Sequence, residues 1–231
     1  MIFLLIFATF SLMGCNSSSP HYPNQPQTQI QQVIPKQSQP IIQSGTFENP
    51  LLDSHITWEQ ELKNMSAQNF PQNIINKQQL VNVKYYANDG KIHQGQLVID
   101  KRLVNDIQKV FEIMLQEKFS IHSVIPISQF EWSDDQSMNE NNTSAFNYRK
   151  VKGKNSLSNH AVGQAIDINP FQNPYISGKH ISPKGARYDY TQAGTLTKDS
   201  PIVEIFLQLG WKWGGRWKSI KDFQHFEKKL D

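Results

Sequence analysis

"LVNVKYYANDGKIHQGQLVIDKRLVNDIQKVFEIML" runs from Leu80 to Leu115 and decides the fold class. Leu80 to Ala87 alternates apolar and polar residues in the manner of a strand. Asn88, Asp89 and Gly90 form a turn signal, and Ile92 to Ile99 reads as the returning strand. Asp100 then offers a side-chain oxygen to cap a helix. Beyond it Leu103, Val104, Ile107, Val110, Phe111, Met114 and Leu115 recur at spacings of three and four, which gathers them on one face. Such a stripe predicts core packing. A hairpin running straight into a helix predicts an α+β fold, a small antiparallel sheet with flanking helices, and not alternating βαβ units.

Working outward, 231 residues suffice for one domain of ordinary size or two small ones, and 38% hydrophobic residues suffice for a packed core. A net charge of +3 is too weak to point to nucleic acid, so no such partner is expected. "HITWEQELKNM" (His55 to Met65) predicts a helix, Ile121 to Ile127 a strand, Ser133 to Thr143 a polar loop, and Phe171 to Asp199 a long loop. Loops of that length in compact domains are usually functional or mobile. Ser200 caps a further helix, with Pro201 at its first position and Gly210 past its end. The domain is expected over residues 51–231, and its core over about 80–230.

The N-terminal side differs in composition. Residues 16–50 are rich in Ser, Pro, Gln and Asn with little charge. They lack the apolar surface needed to offset the entropy of ordering, and predict a flexible tether. Met1 to Met13 is almost wholly apolar. As a helix it would reach about 20 Å, short of the ~30 Å of a bilayer, and it has the length of a signal's apolar part. Leu12 to Cys15, "LMGC", resembles the bacterial lipobox, in which the cysteine is lipidated and becomes the new N-terminus. Cys15 is the single cysteine, so no intramolecular disulfide is possible. The layout implied is a signal peptide over residues 1–15, a tether over 16–50, and export with a lipid anchor in the cell envelope.

The chemistry centres on "SLSNHAVGQAIDINP" (Ser156 to Pro170). "QAIDIN" alternates as a strand, with Ala165 and Asp167 on one face. His160 sits on the preceding turn, and Gly163 lets the chain bend back without a Cβ penalty. His160 and Asp167 can therefore reach one point. Two ligands are too few for a catalytic zinc site, which typically has three from the protein. His225, in "DFQHFE", is the best candidate for the third. If that segment makes a helical turn, Asp222 lies on the same side as His225 and brings a carboxylate beside the metal without serving as a ligand.

"SNHAVGQAID" (Ser158 to Asp167) resembles the SxHxxGxAxD motif of the zinc D-alanyl-D-alanine carboxypeptidase and L-alanyl-D-glutamate endopeptidase family, which cuts peptidoglycan stem peptides. "WGGRWKSIKDFQHFE" (Trp213 to Glu227) is similar to the closing motif of its phage endolysin branch, and "FNYR" (Phe146 to Arg149) also fits the family pattern. The resemblance implies a fold of the hedgehog and D-Ala-D-Ala peptidase type, built around a zinc cleft. It implies that His160, Asp167 and His225 hold Zn2+, that Asp222 is the general base, that Arg149 steadies the scissile carbonyl, and that Ser158 contacts substrate. Asp222 and "HFE" are similar to the endopeptidase branch. Cleavage between L-alanine and D-glutamate is therefore expected, with D-alanyl-D-alanine carboxypeptidase activity or a non-catalytic peptidoglycan-binding lipoprotein as alternatives. A monomer acting on stem peptides, tethered through Cys15, completes the expectation.

Overall fold

The computed structural model describes residues 44–230. Strand β1 (Leu51–Leu52) leads to helix α1 (Trp58–Ala67) and the single turn α2 (Gln72–Ile75). The hairpin β2 (Gln78–Ala87) and β3 (Ile92–Asp100) follows, then α3 (Val104–Gln116), β4 (Ser120–Ile121) and β5 (Ser123–Val124). After α4 (Asp134–Asn139) and β6 (Asn142–Thr143) come β7 (Ala165–Asp167), β8 (Tyr175–Ser177) and β9 (His180–Ser182). Helix α5 (Pro201–Gln208), β10 (Lys212–Trp213), β11 (Lys221–Asp222) and β12 (His225–Glu227) complete the fold. Among the described residues these strands form four small sheets, ordered β1-β3-β2-β4, β10-β12-β7, β11-β8-β9 and β5-β6. The pairings β1–β3, β2–β4 and β5–β6 are parallel and the others antiparallel. The class is α+β, as the hairpin-to-helix reading predicts.

The hairpin turns at Gly90 (φ +79°), and the Asp100 side chain accepts from the Arg102 backbone N–H at 3.0 Å. A short 3-10 turn, Lys101–Leu103, intervenes before α3. Ile107, Val110, Phe111 and Met114 of α3 are buried against Val81, Val83, Tyr85, Leu97 and Ile99 of the hairpin. The same core takes in Ile166 of β7, Phe226 of β12, Phe206 of α5, Trp211 and Trp213. Phe226 stacks on Phe206 with ring centroids 3.9 Å apart. The strands that carry the candidate ligands are thus anchored by their alternate residues. Burying each such side chain contributes roughly 1.5–3 kcal/mol.

Four expectations change. Residues 121–127 are not one strand: β4 and β5 are two residues each, and after Pro126 the chain enters a 3-10 turn over Ile127–Phe130. Ser133 to Thr143 is not a plain loop, because Ser133 accepts from Gln136 N and caps α4, and β6 follows. The stretch from Phe171 to Asp199 holds the β8–β9 hairpin. Lastly, Asp222 and His225 lie on strands β11 and β12 and not on a helical turn.

Residues 44–50, the end of the stretch whose composition marks a tether, are tied to the hairpin. Ile92 N donates to Gly45 O at 2.9 Å, and Lys84 Nζ donates to Phe47 O at 2.6 Å while lying over the Phe47 ring. Cys15, the apolar run before it and the tether as far as residue 43 lie outside the described residues.

Candidate metal centre

Sheet register brings two of the three expected ligands together. In the antiparallel pair β7–β12, Asp167 stands directly opposite His225, Ile166 opposite Phe226 and Ala165 opposite Glu227. Residues opposite one another in such a pair have Cβ atoms about 4.5–5.5 Å apart, close enough for their side chains to meet. His225 Nδ1 lies 2.9 Å from Asp167 Oδ1. The core-facing neighbours Ile166 and Phe226 are fully buried, so Asp167 and His225 project from the other face.

His160 arrives from a 3-10 turn, Asn159–Val162. Ser158 caps it by accepting from His160 N, and Gly163 ends it at φ +69°. A Cβ at Gly163 would stand 2.0 Å from Gln78 Oε1 and 2.6 Å from Asp100 N, so the bend needs glycine for space as well as for conformation. The His160 ring is oriented by Nδ1, 2.6 Å from the Ala145 carbonyl. A carbonyl only accepts, so Nδ1–H donates to it and Nε2 faces inward. Nε2 lies 3.1 Å from His225 Nδ1 and 3.3 Å from Asp167 Oδ2.

The candidate ligand atoms of His160, Asp167 and His225 all fall within 4.8 Å of one another, on three buried residues. Two imidazole nitrogens and a carboxylate, with one position of a tetrahedral ion left open, are a donor set that suits catalytic zinc. The electrostatics agree. Burial opposes the charge on Asp167, yet the two histidines hold its carboxyl well below the usual carboxylate range. Burial also opposes a cationic His225, but its contacts with Asp167 and Glu227 push it up to about 10. The group thus favours positive charge, and its three donor atoms could hold a metal ion.

Asp222 reaches the same cleft from β11, where it pairs with Tyr175 of β8. Burial pushes its carboxyl up to about 6, against the pull of His225 and His160 and with help from Asp167. Its Oδ1 is buried and has no hydrogen-bond partner among the described residues. Gly214 permits this placement, since a Cβ there would lie 2.5 Å from the Asp222 carbonyl oxygen and 2.8 Å from its Cβ.

The cleft measures about 600 Å³ and also takes in Arg149, Ser158, Trp217 and His180. Arg149 Nη2 pairs with Asp134 Oδ2 at 3.0 Å, while its Nε is buried without a partner. Ser158 lines the cleft and caps the His160 turn at once. His180 is exposed on the β8–β9 hairpin and is not one of the three clustered residues. Trp211 and Trp213 are core residues, whereas Trp217 packs its ring 5.5 Å from that of His225. Sequence reasoning misses Asp134, Asn159 and Glu227. Glu227 Oε2 lies 3.4 Å from His225 Nε2 and accepts from Asn159 Nδ2, and this bond to His225 holds Glu227 below the usual carboxylate range. The signal for Glu227 is present in "HFE": read with the period of a strand, residues 225 and 227 share a face.

Residues 152–228, a third of the chain, match the family model described as D-alanyl-D-alanine carboxypeptidase. The match contains Ser158, His160, Asp167, Asp222 and His225, and Arg149 lies just before it. No solved structure matches the chain. With the match and the buried His-Asp-His group, the chain is an enzyme, a metallopeptidase of the hydrolase class.

Proposed function

We propose that this metallopeptidase is a zinc-dependent peptidoglycan peptidase that hydrolyses the amide bond between L-alanine and D-glutamate in the stem peptide. The observation that carries the reading is the convergence of His160, Asp167 and His225 beneath a cleft whose wall holds the Asp222 carboxylate, with its Oδ1 buried and free of hydrogen bonds among the described residues. His160 through Nε2, Asp167 through its carboxylate and His225 through Nδ1 would hold the zinc. Once bound, zinc acts as a Lewis acid that polarises the scissile carbonyl and brings the pKa of water towards about 7.

The remaining work belongs to the chain. Asp222 accepts the proton of the attacking water at its carboxylate and returns it to the departing amine. A carboxyl raised to about 6 is suited to both halves of that transfer near neutral pH. Arg149, fixed against Asp134, donates to the oxygen on which negative charge develops. Ser158 stiffens the His160 turn and offers a hydroxyl at the cleft wall. Cleavage of the D-alanyl-D-alanine bond is the second reading, favoured by the description of the matching family. Mass spectrometry of muropeptides digested with the purified protein separates the two. Loss of the disaccharide-L-alanine unit from the rest of the stem supports the endopeptidase; loss of the terminal D-alanine alone supports the carboxypeptidase.

The proposal extends to location. Cys15 carries a lipid and holds the enzyme in the cell envelope, with residues 16 onward as a spacer between membrane and domain. Cys15→Ser is expected to shift the protein from the membrane fraction to the soluble one, and its retention on membranes would refute the anchor.

A further inference from the structure

The two candidate histidine ligands are held by different means. His160 rests its Nδ1 on a backbone carbonyl, that of Ala145. His225 turns its Nδ1 towards the ligand centre, 2.9 Å from Asp167 Oδ1 and 3.1 Å from His160 Nε2. Its other nitrogen, Nε2, points away, 3.4 Å from Glu227 Oε2. The same Glu227 oxygen accepts from Asn159 Nδ2, the side chain of the residue that precedes His160. Glu227 is held from its backbone as well, because it pairs with Ala165 on one side and with Lys212 on the other. Asn159, Glu227 and His225 therefore make a chain that links the turn carrying one ligand to the strand carrying another.

An imidazole that gives one lone pair to a metal must carry its proton on the other nitrogen, and the partner of that proton sets ring orientation and basicity. We propose that Glu227 is a positioning residue for the metal centre: its carboxylate accepts a hydrogen bond from the Nε2–H of His225 and so fixes Nδ1 as the ligand atom, while Asn159 holds that carboxylate in place. This rests on the zinc-peptidase reading, which assigns none of this to Asn159 or Glu227. His160, backed by a carbonyl that no side-chain substitution removes, lacks such a point of control.

The test is a zinc dissociation constant, measured for the full chain by competition with a chromophoric chelator, for wild type, Glu227→Ala, Glu227→Gln and Asn159→Ala. Loss of a side chain that orients a ligand typically weakens metal binding about 10- to 100-fold. Glu227→Ala is expected in that range. Glu227→Gln, which keeps an oxygen acceptor but not the charge, should recover part of the loss. Asn159→Ala should weaken binding by less, and adding it to Glu227→Ala should bring no further loss, because both act through one oxygen. A purely structural role for Glu227 would lower thermal stability of the zinc-free protein equally in all variants and leave zinc affinity unchanged. Wild-type affinity in Glu227→Ala and Asn159→Ala overturns the proposal while the peptidase reading stands. A wild-type chain that binds no zinc overturns both.

Discussion

Two strand pairs lie against one core and do opposite kinds of work. The hairpin β2–β3 pairs over nine residues, packs its apolar face on α3 and carries none of the catalytic candidates. The pair β7–β12 spans three residues and presents Asp167, His225 and Glu227. A long ladder spreads its stability over many bonds and contacts, so single changes weaken it by degrees. A three-residue ladder has no such reserve. It is fixed from one side by Ile166 and Phe226 in the core, and from the other by polar contacts among the site residues. The contrast indicates that the scaffold is ordered by burial and the site by register plus polar partners.

Substitutions can break that contrast, and the effects should descend in order. His225→Ala removes a ligand and should abolish both zinc retention and hydrolysis, as read by elemental analysis beside a muropeptide assay; stoichiometric zinc in this variant would disprove the third ligand. Asp222→Ala should keep its zinc yet lose turnover by about 10²–10⁴-fold, the usual contribution of a general base. If the metal leaves with Asp222, the carboxylate is a ligand and the base has been misassigned. Arg149→Ala should reduce kcat by on the order of 10²–10³, the effect of losing one donor to a developing oxyanion, with zinc content unchanged. On the scaffold side, Ile107→Val should lower unfolding free energy by about 0.5–1.5 kcal/mol and leave zinc content and kcat as in wild type.

The pH profile sharpens the same point. Asp222 works as the carboxylate, and burial raises its pKa to about 6, so activity should fall as pH drops through that value. A bound cation stabilises the carboxylate and moves the limb lower, never higher. An acidic limb at or below about 6, absent from the residual activity of Asp222→Ala, is the expected profile. A limb well above neutrality would assign the base to another group.

What the sequence revealed follows the same division. The hairpin and α3 were legible because apolar periodicity records burial, and burial is what orders them. The convergence of His160, Asp167 and His225 is legible because His160, Gly163 and Asp167 crowd one bend and His225 stands in an aromatic segment. The segment from Asp222 to Glu227 misled: spacing by three suggested a helical turn, but Phe226 is held in the core and its neighbours 225 and 227 face the cleft, which is the period of a strand. Helix α4 and the β8–β9 hairpin carry little apolar periodicity, and their signals were local, Ser133 before two aspartates and Gly178 at a two-residue turn. Glu227 and Asn159 are hidden because they meet only through a contact between residues 68 apart.

The most direct measurement is muropeptide digestion by the zinc-loaded protein, followed by mass spectrometry, before chelation, after it, and after zinc is restored. Cleavage between L-alanine and D-glutamate is expected, lost on chelation and regained with zinc. Cleavage that persists once the metal has been removed, or intact muropeptides in the presence of fully zinc-loaded protein, would contradict it.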